Sequence, residues 1–340
     1  MSNRLDAFRI NDPVLTEVAY GYSQAESCIP FVAPTVNVST RAGRILQFGK
    51  EQFAVSNTKR TPYANHRRNK VSGYNADAKF ILEQHTNVAE VAWEEIDEAA
   101  NGDANIDLKE IAIMDSVERI AQSIEQEMYD LITNPANYEP TNVISVSAAN
   151  KFSNGGSDPE ALVRAWKSIV RRGIGAYPNK AIMSEDVYNA LSLHPIFRER
   201  TKHTRLEQTD TDLLSSFLGL PGGIRVCTRL RLNPATGELE DMFPSGTMIL
   251  FIDGTMKAGS LGATTEKNQP LFIQRPGVTR GMATFAQFYV LQGGLRVGAE
   301  RIDEDNDTIL HTVRFDGSIV LPSVGQNNRS AAGILINNLV

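Results

Sequence analysis

Few residues in this chain stand at the spacings that chemistry requires. The run from Gly43 to Gly49-Lys50-Glu51 has the outline of a phosphate-binding loop. Its glycines are separated by five residues where that loop has four, and Glu51 stands where a Ser or Thr must meet the metal. Asp303-Glu304-Asp305-Asn306-Asp307 opens like a calcium loop. Thr308 holds the position that needs glycine, and Arg314 the one that needs a bidentate glutamate. That segment reads as a solvated acidic turn between strands. His203 has Glu199 and Glu207 four positions to either side, on one helix face, but no second histidine joins them. His66, His85, His194, His203 and His311 therefore read as surface or packing residues. Ser153 and Ser157 lie near glycines without a nucleophile elbow. Cys28 and Cys227 have neither zinc-ligand spacing nor a disulfide framework around them, and read as reduced, partly buried thiols. No catalytic, cofactor-binding or metal-ligating residue survives, so the expectation is a non-enzyme with no cofactor.

What remains is a charge boundary. Residues 57–76 carry Lys59, Arg60, Arg67, Arg68 and Lys70 and no acid. Residues 83–98 carry Glu83, Glu90, Glu94, Glu95, Asp97 and Glu98 and no Lys or Arg. The basic stretch has almost no large apolar side chain, so it cannot bury itself in a core. As a nucleic-acid loop it has only Tyr63 and Tyr74 for stacking. A disordered, solvated loop also fits its composition. An intersubunit arm explains more, because complementary charge selects partner and register. Lys59, Arg60, Arg67, Arg68 and Lys70 are thus expected to meet Glu90, Glu94, Glu95, Asp97 and Glu98 of a neighbouring copy. Exposed ion pairs contribute only ~0–1 kcal/mol each, so the energy must come from many contacts in many copies.

The elements that hold these blocks can be read along the chain. Residues 1–40 look extended, with Pro13, Pro30 and Pro34 interrupting any helix. Pro34–Thr40 alternates like a strand, 44–55 reads as a second strand, and Ala78–Leu82 as a return strand. Together they describe a β-arm with a polar tip. Asp107 and Glu110 have capping-box spacing, and Ile113, Val117, Ile120, Ile124, Met128 and Leu131 form one helix face. Glu110, Asp115, Glu118, Glu125 and Asp130 fall on other faces, and Asn134-Pro135 stops the helix. A helix at Pro159–Arg172 has Asp158 as cap and Gly173 as stop. Lys180–Met183 reads as a strand and Glu185–Leu193 as a helix ended by Pro195. From about Gly219 strands dominate, with a turn at NPATGELED, a dense apolar strand at Thr247–Ile252, and a strand-rich tail from Thr284 to Val320. The organisation is α+β, with an inserted unit inside a first domain.

Length and composition agree. With 340 residues, 41% of them apolar, the chain can build a sizeable core in two packed units. The net charge of −6 argues against a dedicated nucleic-acid binder. No signal peptide or membrane span is present in the sequence, so a cytoplasm-like compartment is expected, unless the chain leaves as part of a particle.

This order of elements resembles the major capsid proteins of tailed bacteriophages, with the Hong Kong 97 capsid fold. The residues that carry the likeness are Asn179, Leu191, His194, Pro195, Ile196 and Arg200, in the stretch from Gly175 to Lys202, together with Gly219–Val226. The resemblance implies an N-terminal arm at 1–40 and an extended β-loop with acidic connector at 41–100. It implies a peripheral domain at 101–202 and 281–325, with a spine helix at 106–133, and an axial domain at 203–280 and 326–340. It further implies self-assembly as pentamers and hexamers into an icosahedral shell around double-stranded DNA, with scaffold, portal and decoration proteins as partners. Virion capsid and host cytoplasm are the implied locations. Some members crosslink a loop lysine to a distant asparagine; Lys59 and Lys70 fall in the loop and Asn327, Asn328, Asn337 and Asn338 late in the sequence, with nothing to select a pair, so no crosslink is expected. The helix also starts too early for the cleaved scaffolding segment of other members. Two other readings stand beside this one: an encapsulin-like nanocompartment shell, and a soluble α+β enzyme with an unrecognised site.

Overall fold

The structure is a computed structural model that describes residues 25–45, 47–48, 74–75, 79–101, 108–201, 210–254, 284–303, 306–321 and 329–340. Two sheets and one long helix organise these residues. The inner sheet has the order β7 (Val143–Ser145), β16 (Gly333–Asn337), β12 (Met248–Phe251), β8 (Lys180–Ser184) and β9 (Ile224–Cys227). β12 runs antiparallel to both β16 and β8, while β16 with β7 and β8 with β9 are parallel. Its central strands are apolar almost without interruption because both faces are covered. Ala181, Met183, Met248, Leu250, Ile334 and Ile336 face helices Pro159–Ile174, Glu185–Ser192 and Thr211–Leu218. Ile182, Ile249, Phe251 and Leu335 face the other way, into the core cluster that also takes in Ile124, Met128 and Ile132 of the long helix. This sheet crosses the domain division expected at residue 202, since strands on both sides of it pair directly.

The long sheet is built around β15 (Thr308–Val320). β6 (Glu83–Ala92) pairs along one edge, with Glu83 opposite Gly317 and Ala92 opposite Thr308. β14 (Arg301–Asp303) and β13 (Gln287–Val297) share the other edge. β1 (Thr35–Val38) adds to β13 in parallel. The register of β13 slips between Val290 and Leu295. Gly293 supplies the positive φ of 76° there, and a Cβ on Gly294 would come within 2.7 Å of Val290 Cγ1. The bulge thus requires both glycines.

The helix Leu108–Thr133 has 26 residues and spans about 39 Å. Ile120, Ile124, Met128, Tyr129 and Ile132 are its buried apolar residues, with Ile113 and Val117 packed beside them. The expected capping residue Asp107 lies outside the described residues. Just past its end, Asn134 accepts the Ala136 N–H at 3.0 Å and caps the short 3-10 turn Pro135–Asn137.

Several local expectations need correction. Asp158 does cap its helix, accepting from the Ala161 N–H at 3.0 Å. The stop is Gly175, in the left-handed region at φ 84°, and not Gly173. Chain reversal needs that conformation, which L residues resist, and it falls one turn past the last basic pair. Pro195 opens the next helix, Pro195–Thr201, because its missing N–H is an orphan position there. Pro30 likewise sits in the first turn of Ile29–Val32. Of the 44–55 strand, residues 44 and 47–48 are paired and 49–55 lie outside the described residues.

Candidate assembly surfaces

The basic residues Lys59, Arg60, Arg67, Arg68 and Lys70 lie outside the described residues. The root of their loop does not. β2 (Ala42–Arg44) pairs antiparallel with β5 (Lys79–Ile81), and β3 (Gln47–Phe48) pairs separately with β4 (Tyr74–Asn75). Phe80 stacks on Tyr289, ring centroids 4.5 Å apart and planes within 2°. Gly43 lies under that ring, where a Cβ would come within 2.4 Å of Phe80. Arg41 Nη2 reaches the buried Asp316 at 3.3 Å. A two-stranded arm is marginal alone. Here its root is fixed to the long sheet by one aromatic stack and one ion pair.

The acidic block divides between two elements. Glu90 lies on the outward side of β6, between the buried Ala89 and Val91. Glu94, Glu95 and Asp97 belong to the helix Trp93–Asn101, with Glu94 and Asp97 exposed and Glu95 half-buried. Glu94 and Glu95 stand in that helix's first turn, where the exposed N–H groups favour negative charge. Glu98 is in the same helix, and its side chain lies outside the described residues. The alternation of β6 and the helix thus turn Glu90, Glu94 and Asp97 toward solvent.

One acid behaves in the opposite way. Glu125, expected on an outer face of the long helix, is fully buried. Its Oε2 is paired with the Arg229 guanidinium. Its Oε1 accepts the Cys28 N–H at 2.9 Å and the Tyr129 hydroxyl at 2.7 Å. Burial pushes that hydroxyl well above its usual range, so it stays a donor. A buried carboxylate survives only with its lone pairs satisfied, and three segments do so here. Its position next to Ile124 and three and four residues before Met128 and Tyr129 was the signal in the sequence.

Residues 25–38, expected as an extended arm, pack on their own subunit. Cys28, Val32 and Ala33 enter the core. Glu26 pairs with Arg225 at 2.6 Å, and Lys180 donates to the Phe31 carbonyl at 3.1 Å. The rest of that expectation, residues 1–24, lies outside the described residues.

The residues that carried the likeness to coat proteins are structural. The Asn179 side chain accepts from the Asp253 N–H at 2.8 Å and donates to the Asp253 carbonyl at 2.9 Å. His194 is buried, with Nε2 3.3 Å from Ser157 Oγ. Leu191 is core, and Arg200 bridges Glu160 at 2.7 Å while lying over the Phe217 ring. Asn337 and Asn338 are each bonded within the subunit, to Thr247 and Ser145. Glu83, His85 and Glu127 come together at the root of β6, with His85 Nδ1 3.7 Å from Glu127. Both carboxylates there are exposed and His85 is half-buried. His203 and Glu207 lie outside the described residues, and Glu199 is exposed on the helix Pro195–Thr201. Among the described residues no nucleophile, base and orienting group converge.

Residues 122–269 match the family model for phage major capsid protein E. A major capsid protein of Burkholderia phage BcepMu is 32% identical over 212 residues, 62% of this chain and 67% of that protein. A phage-related protein from Bordetella bronchiseptica RB50 shares the fold at a TM-score of 0.66, with 24% identity over 96% of this chain and 97% of that one. The capsid protein of cyanophage P-SCSP1u follows at 0.54, with 12% identity over 94% and 90%. The α+β fold is thus one shared with phage proteins. The chain belongs to the phage major capsid proteins. It is a coat protein of a tailed phage and not an enzyme, it assembles with copies of itself, and its place is the virion shell. No helix of the described residues is long and apolar enough to cross a membrane.

Proposed function

We propose that the basic loop and the acidic block are two halves of one intersubunit contact in an icosahedral shell around double-stranded DNA. Lys59, Arg60, Arg67, Arg68 and Lys70 of one copy meet Glu90, Glu94, Glu95, Asp97 and Glu98 of the next. The observation that supports this is the outward turn of Glu90, Glu94 and Asp97 at one end of β6, whose other end adjoins the anchored loop root. The loop can then reach a neighbour while its base stays fixed. The inner sheet with its helices, about 140–254 and 329–340, is the axial unit that gathers in pentamers and hexamers. The long helix and long sheet form the peripheral unit. Scaffold, portal and decoration proteins complete the set of partners, and DNA is held by proximity, since an acidic subunit grips it weakly.

Charge reversal tests the contact. Arg67→Glu with Arg68→Glu should yield folded subunits that fail to close shells in negative-stain images. Adding Glu90→Lys and Glu94→Lys should restore closure. Normal shell yield in the first variant sinks the pairing.

A further inference from the structure

Cys28 and Cys227 are 199 positions apart in sequence, yet their sulfurs lie 3.6 Å from each other. Both are buried, at 1% and 3% exposure. Cys28 immediately precedes the helical turn Ile29–Val32, and Cys227 ends β9. Around them stand Tyr129 and Glu125 of the long helix, and Arg225 with its partner Glu26. The N-terminal segment, the long helix and the inner sheet therefore meet at two thiols.

We propose that Cys28 and Cys227 are an oxidation site, which a small disulfide oxidant of the oxidised-glutathione class closes into an intramolecular bond that locks the N-terminal segment onto the inner sheet. The sulfurs are in van der Waals contact and must approach to about 2 Å to bond. The single-turn segment beginning at Cys28 is the part that shifts. Two positions before Cys28, the Glu26 side chain is 82% exposed, so a small opening admits the oxidant.

The two thiols differ in a way that orders the steps. The hydrogen bond from the Cys227 thiol lowers Cys28 to about 7, against the raising effect of burial, and Tyr129 and Arg225 act in the same direction as Cys227. Burial pushes Cys227 up. Cys28 gives its proton to water and attacks one sulfur of oxidised glutathione. The glutathione S–S bond breaks, and the first glutathione leaves as thiolate and takes up a proton. Cys227 then loses its proton and attacks the Cys28 sulfur of the mixed disulfide. The second glutathione leaves and is protonated. Two cysteine thiols give up two electrons and two protons, and one glutathione disulfide becomes two glutathione thiols.

The consequence for a coat protein follows from redox compartments. A subunit made in a reducing cytoplasm meets such an oxidant only after the particle leaves the cell. The bond would then close a loop of nearly two hundred residues, the case in which a crosslink constrains the unfolded chain most.

The test uses full-length protein, as subunits and as particles, treated with oxidised glutathione and quenched with iodoacetamide. Mass spectrometry of the unreduced digest should find Cys28 linked to Cys227 within one chain. The thermal unfolding midpoint should rise by roughly 5 °C and return on reduction. Cys227→Ser should accumulate glutathione on Cys28, and Cys28→Ser should leave Cys227 unmodified. Two alkylated thiols after oxidation, or links only between chains, would overturn the proposal. A linked peptide with an unchanged midpoint overturns the locking. Should a serine variant fail to fold, the linked peptide and the midpoint of the native chain decide alone.

Discussion

Glu125 and Glu90 are both glutamates on regular elements, and they lead opposite lives. Glu125 is sealed between the long helix, the N-terminal segment and Arg229, which precedes the hairpin of β10 (Leu230–Leu232) and β11 (Leu239–Asp241). Glu90 stands on the outer side of an edge strand, with water on it. The first is held by its own chain and contributes to one fold. The second contributes little to the fold and is available to a neighbour. Burial of charge thus separates the part of the molecule that makes a subunit from the part that makes a shell.

Substitutions along this gradient should break or sharpen the contrast. Glu125→Ala leaves the buried Arg229 only the exposed Glu118 at 3.8 Å and should cost about 3–5 kcal/mol in denaturant unfolding of the subunit. Removing Arg41 is a step down. Asp316 is buried and Arg41 is largely exposed, so Arg41→Ala should cost about 1–3 kcal/mol. Hydrogen exchange should quicken at the root of the β-arm and not in the inner sheet. Asp158→Ala removes a helix cap and should cost about 1 kcal/mol, read as a shift in the denaturation midpoint. Glu90→Lys with Glu94→Lys should move subunit stability by no more than ~0.5 kcal/mol while shell yield falls. A large stability loss in that last pair would erase the distinction between inner and outer acids.

Much of the fold was legible in residue order. The long helix showed itself by Ile120, Ile124 and Met128 at steps of three and four, and its end by Asn134-Pro135. The Asp158 cap, the hairpin turn at 233–238 and the strands of the tail followed from local chemistry alone. Misses came where local rules admit two outcomes. A proline interrupts a helix or starts one, and Pro30 and Pro195 do the second. Gly173 and Gly175 both offer a stop, and only the backbone conformation chose between them. Glu125 carries a charge that pattern alone sends outward. Arg229, about a hundred residues away, reverses that.

The candidate surface was half legible in the same way. The two charge blocks are plain in composition, and the alternation of β6 turns Glu90 out. Nothing local says that Phe80 will stack on Tyr289, or that Arg41 will reach Asp316 across 275 positions.

What the sequence by itself determined was element type and order, the absence of an enzyme signature, and the segregation of charge. These depend on neighbours a few residues apart, whose periodicity and capping act before the chain closes. Tertiary structure alone decided which acid is buried, which segments share the inner sheet, and that Cys28 and Cys227 touch. Those outcomes depend on contacts between distant segments, and such contacts form only when the two sheets and the long helix enclose a common core.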